Sequence, residues 1–104
     1  MDKKDIEKII DEKQTIHKKI SAQEEKLLNA KSKVKFEEFE LWVKSDWETI
    51  LKKPTDKTKK AYVDGKVRPF KEKVESFENK INEYKRDVEI LNDKLKYLIG
   101  ESDD

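Results

Sequence analysis

The sequence predicts an all-α protein, an antiparallel helical hairpin of coiled-coil type with a short helical cap at its turn. Three observations predict it. Ten apolar residues, Val67, Phe70, Val74, Phe77, Ile81, Tyr84, Val88, Leu91, Leu95 and Leu98, recur alternately three and four apart. That is the spacing of one unbroken heptad seam. A flawed version of the same repeat fills the first half, and both prolines fall in the segment that joins the halves, Lys52 to Lys73, KKPTDKTKKAYVDGKVRPFKEK.

Composition agrees with a narrow seam rather than a thick core. Charged residues make up 47% of the 104-residue chain and hydrophobic ones 34%, whereas a compact globule carries roughly 45–50% apolar residues. Such a chain stays ordered only if its apolar residues fall on one stripe. The length suits a single domain, residues 1–104. The absence of cysteine excludes disulfides and thiolate metal sites. The opening MDKKDIEKII has no run suited to a signal peptide or a membrane span, so the expected location is the cytoplasm, with no membrane partner.

The first arm is expected over 3–52. Its frame reads Ile6, Ile9, Lys13, Ile16, Ile20, Gln23, Leu27, Ala30, Val34, Glu37, Leu41, with three polar residues among eleven. Near Phe36 a second frame begins, Phe36, Phe39, Val43, Trp47 and Ile50, which predicts a change of face. Ser45 and Glu48 have capping-box spacing, so the arm is expected to kink or restart there. The cap and turn occupy 53–67. Thr55 is a good N-cap for a short helix over 56–64 that Gly65 would close. Pro69 suits the first turn of a second arm over 68–99. Gly100 suits its C-cap, and 100–104 form an acidic tail.

Apolar clusters widen the seam at Ile6, Ile9 and Ile10 and again at Ile90, Leu91, Tyr97, Leu98 and Ile99. They exceed the needs of one two-stranded seam and predict a homodimer or a four-helix bundle.

Function is expected at the cap. Trp42, Trp47, Tyr62 and Phe70 are the candidate contacts for an unidentified protein partner, since tryptophan and tyrosine dominate contact hot spots. The plainer reading packs Trp47, Ile50, Leu51, Tyr62, Val63 and Phe70 into a small core under the turn. Lys52 to Lys73 carries nine cations against three carboxylates, a net +6 in a chain of net +1. Lys57, Lys59, Lys60, Lys66 and Arg68 beside the rings would suit a single-stranded nucleic acid. Lysines that only keep an exposed turn in solution are the alternative.

His17 is the sole histidine and reads as a surface residue rather than a metal ligand. No phosphate-cradling glycine loop, nucleophile elbow or HExxH stands in the sequence. Neither an enzyme nor a cofactor site is expected.

The segment Leu41 to Val67, LWVKSDWETILKKPTDKTKKAYVDGKV, resembles one found in small coiled-coil proteins of phages and prophages. The matching residues are Leu41, Trp42, Asp46, Trp47, Thr55, Lys57, Lys60, Ala61, Tyr62 and Val63, about a quarter of the chain. The resemblance implies a phage-encoded accessory protein in the host cytoplasm, and no activity of individual residues. The expected function is therefore non-enzymatic protein interaction, with single-stranded nucleic-acid binding by residues 52–73 as the other reading.

Overall fold

The computed structural model describes residues 3–102 and is an all-α helical hairpin. Helix α1 spans Lys3–Lys44, α2 is a single turn, Trp47–Ile50, and α3 spans Asp56–Ser102. Residues 26–76, which include the turn, form one compact unit, and residues 1–25 with 77–104 form another. No described helix is long and apolar enough to cross a membrane.

In the 1–25/77–104 unit, Ile20 of α1 and Ile81 and Leu91 of α3 are the buried residues. Ile6, Ile9, Ile16, Phe77, Tyr84, Val88, Leu95 and Leu98 are half-buried around them. Lys13 and Gln23 hold their seam positions half-buried, so their apolar stems cover the seam while their polar heads reach water.

In the 26–76 unit the most buried side chains are Val63 and Val67, at 2% and 0% exposure. Their place in the fold corrects the expected boundaries. The helix expected over 56–64 and the arm expected over 68–99 are one continuous α3, with Gly65 and Pro69 inside it. The seam read from Val67 onward simply extends back to Val63. Burying a valine contributes roughly 1.5–3 kcal/mol. Two of them together offset the ~3 kcal/mol and ~1 kcal/mol that an interior proline and glycine cost a helix. Gly65 stands four residues before Pro69, so it bears the carbonyl that the proline ring crowds and leaves unbonded. Both residues face solvent, and water can satisfy that carbonyl.

The remaining differences follow from the same preference for unbroken seams. Gly100 does not cap the second arm: α3 runs through it to Ser102, and no glycine has a positive φ. Asp103 and Asp104 of the expected tail lie outside the described residues. The first arm breaks at 45–46, where a kink or restart is expected: α1 stops at Lys44, and the restarted helix, α2, ends at Ile50 rather than at 52. The change of frame at Phe36 does not occur either. Val34, Glu37 and Leu41 keep the inward face, and Phe36, Phe39 and Val43 point outward. Phe36 lies about 200° round from Val34 at 100° per residue. An unbroken helix cannot turn both toward α3.

Candidate functional site

The candidate site lies in the 26–76 unit, where the chain turns between α1 and α3. Its geometry begins with the break after Lys44. Ser45 still donates its N–H to the Leu41 carbonyl at 3.3 Å, and the chain then leaves the helix. Asp46, not Ser45, is the N-cap of α2. Its carbonyl accepts the N–H groups of Thr49 and Ile50, each at 3.1 Å, and its Oδ2 accepts the Thr49 hydroxyl at 2.7 Å. The Asp46 carboxylate makes no bond to a backbone N–H of α2; it is held by the Thr49 hydroxyl.

The break brings together two rings that an unbroken helix would hold on different faces. Trp47 and Trp42 have ring centroids 5.6 Å apart at a tilt of 56°. The Trp47 indole N–H donates to the Trp42 carbonyl at 3.2 Å. That carbonyl belongs to the last turn of α1, where four carbonyls lack helical partners. Trp47 thus caps the helix that precedes it. On its other side it meets Tyr62 edge to face, 5.7 Å between centroids at 84°, the arrangement the ring quadrupoles favour.

Leu51 is extended and donates its N–H to the Trp47 carbonyl at 2.8 Å, ending α2. Pro54 keeps Lys53 out of helical conformation. Thr55 then caps α3, as its position in the sequence predicts. Its Oγ1 accepts the Thr58 N–H at 3.2 Å, and Thr58 Oγ1 accepts the Thr55 N–H at 2.9 Å. This is a reciprocal capping box in which a second threonine replaces the usual glutamate.

Of the four expected protein-contact residues, three come together. Trp42, Trp47 and Tyr62 form the ring cluster, with Trp42 the most open at 38% exposure. Phe70 does not join their ring contacts. It lies half-buried in the seam with the Lys33 ammonium 5.2 Å over its ring. Of the other residues of the expected small core, Val63 is buried, Leu51 half-buried, and Ile50 exposed.

The basic residues divide. Lys59 and Lys66 lie over the rings of Trp47 and Tyr62, at 5.7 and 5.6 Å from the centroids. Arg68 stands 3.6 Å from Glu72, and Lys57 and Lys60 are exposed. Lys71 reaches both Asp64, at 3.6 Å, and Glu38 of α1, at 3.7 Å. Helical geometry sets Lys59, Lys66 and Lys73 along one flank of α3, seven residues apart, and Lys57, Lys60, Arg68 and Lys71 along the other.

Sequence reasoning missed the outward line Phe36, Phe39 and Val43 as a surface. Their heptad spacing was the signal, but it reads equally well as a turned core face. Among the described residues no group of three or more histidine, aspartate or glutamate side chains converges as a metal site. No protein-family model matches the sequence, and no curated protein or solved structure is significantly similar to it.

Proposed function

We propose that this is a non-enzymatic interaction protein, a homodimer whose turn recognises another protein through Trp42, Trp47 and Tyr62. The observation that carries the reading is the ring cluster itself. Trp42 and Ile50 stay exposed beside a packed Trp47. Rings held against one another give contact area at little cost in conformational entropy. The resemblance of Leu41 to Val67 to segments of phage and prophage proteins supports an accessory role in a host cytoplasm.

The second reading is single-stranded nucleic-acid binding by the lysine-rich flanks. It is favoured by cations interleaved with rings at Lys59, Tyr62 and Lys66. Against it, those lysines cover the ring faces on which bases would stack, and Arg68 and Lys71 have carboxylate partners.

A photo-crosslinking amino acid at position 42, in the native cells, tests the first reading. It should trap one defined protein, lost on Trp47→Ala and retained on Lys57→Glu/Lys60→Glu. Labelled single-stranded DNA and RNA titrated at low and physiological salt should show no saturable binding. Binding with a steep salt slope that Lys57→Glu/Lys60→Glu abolishes would replace the first reading with the second.

A further inference from the structure

The outer face of α1 in the 26–76 unit carries an apolar line that neither the seam nor the ring cluster uses. Phe36, Phe39 and Val43 are 59%, 63% and 62% exposed. With Ser32 they recur four, three and four residues apart, a second heptad line on the side away from α3. Leu28, 66% exposed, borders it. Together these side chains offer on the order of 400 Å² of apolar surface, the size of the largest patch on a typical monomer, which is often a functional one.

We propose that this face binds the same face of a second copy of the chain, α1 against α1 and antiparallel. The inference rests on the self-association in the reading above and gives it a surface and a register.

Charge and shape select a second copy as the occupant. A two-fold axis between Phe36 and Phe39 sets Phe36 against the partner's Phe39, and Ser32 against the partner's Val43, each pair occurring twice. The flanking positions then match in charge. Glu40, bridged to Lys44 at 2.6 Å in its own chain, comes opposite the partner's Lys33, which would exchange its place over Phe70 for the carboxylate. Lys35 comes opposite the partner's Trp42, a cation–π pair. A parallel pairing would also join Lys35 to Glu40. However, it sets Ser32 against Ser32 within the contact, whereas the antiparallel register covers each Ser32 with the partner's Val43, the last apolar residue before α1 ends at Lys44. The thin cores of the hairpin give the chain reason to bury this face.

Sedimentation equilibrium of the full chain over a concentration series tests the contact. The expected mass is twice the 12.4 kDa of one chain. Phe39→Lys, at an outward position, should return the single-chain mass with unchanged helicity by circular dichroism. A wild-type chain that stays at single mass throughout overturns the proposal. So does a dimer that survives Phe39→Lys but is lost in Ile90→Lys/Tyr97→Lys, which would put the contact in the other unit.

The absence of native cysteine allows the register to be read directly. Mixed Ser32→Cys and Val43→Cys chains should join through a short bis-maleimide, and neither variant should join to itself. Positions 32 and 43 are about 16 Å apart along a helix, too far for the linker in the wrong register. Self-linking of Ser32→Cys would overturn the antiparallel arrangement. Trp47→Ala should leave the dimer mass unchanged while abolishing crosslinking from position 42 to any protein other than a second copy of the chain, so the contact and the ring cluster can fail separately.

Discussion

Trp47 donates its indole N–H to the carbonyl of Trp42 at 3.2 Å, across the break that separates α1 from α2. The bond ties the end of one helix to the start of the next, and the edge of Tyr62 holds the same ring from α3. The turn is therefore a clasp made by one side chain with four obligations: a hydrogen bond, ring contacts to Trp42 and to Tyr62, and the Lys59 ammonium over its ring.

Removing one obligation at a time should separate their contributions. Trp47→Phe keeps a ring but loses the donor, and should cost about 1 kcal/mol, the net value of one hydrogen bond. Trp47→Ala loses the ring contacts as well and should cost about 2 kcal/mol or more. Urea unfolding followed by circular dichroism measures both. Equal losses in the two variants would mean that the ring contacts contribute nothing.

Lys59 and Lys60 are neighbours in sequence with different surroundings. Lys59 is half-buried over Trp47, and Lys60 is exposed. Lys59→Ala should lower stability by about 0.5–1 kcal/mol, the range of an accessible cation–π contact. Lys60→Ala should change it by less than about 0.5 kcal/mol, like most surface substitutions. The same unfolding curves decide it, and a cost at Lys60 equal to that at Lys59 would remove Lys59 from the clasp.

The capping threonines give an independent check on where α3 begins. Thr55→Ala removes the Oγ1 that accepts the Thr58 N–H and should cost about 1 kcal/mol. No loss of midpoint would mean that Thr55 does not cap α3.

How much of this was legible follows from which signals agreed with one another. The second seam was readable because ten apolar positions carried one period without conflict, and its residues are all buried or half-buried. All eleven positions of the first frame also face inward, including Lys13, Gln23 and Glu37. Legibility failed where punctuation competed with periodicity. Gly65 and Pro69 read as stop and start, yet Val63 keeps the period of Val67 and Phe70, and packing overrode the local cost. Phe36, Phe39 and Val43 read as core because hydrophobicity marks a face without saying what covers it. The meeting of Trp42 and Trp47 depended on a break at 45–46, and the sequence located that break to within a residue while leaving the ring geometry unspecified.

Pro69 offers a direct measure of that override. It sits thirteen residues into α3, removes one helical hydrogen bond and crowds the Gly65 carbonyl. Pro69→Ala should stabilise the hairpin by about 1–3 kcal/mol, visible as a higher urea midpoint. A destabilised variant would show that the proline sets a bend on which the packing of Val63 and Val67 depends.

The two competing frames of α1 and the seam of α3 can be tested as a pair, by placing one charge on an inward position and one on an outward position. Ile81 is 5% exposed, and no buried charged partner is present among the described residues to receive a carboxylate there. Ile81→Asp loses a buried side chain and desolvates a charge, and should cost more than about 3 kcal/mol, enough to remove most of the helical signal. Phe39→Asp puts the same charge into solvent and should leave the helical signal of the monomer intact, because nothing in the hairpin covers Phe39. Circular dichroism at one dilute concentration compares them directly. If Phe39→Asp collapsed the fold and Ile81→Asp did not, the inward faces assigned to α1 and α3 would both be wrong, and the outward face of α1 would be core rather than contact.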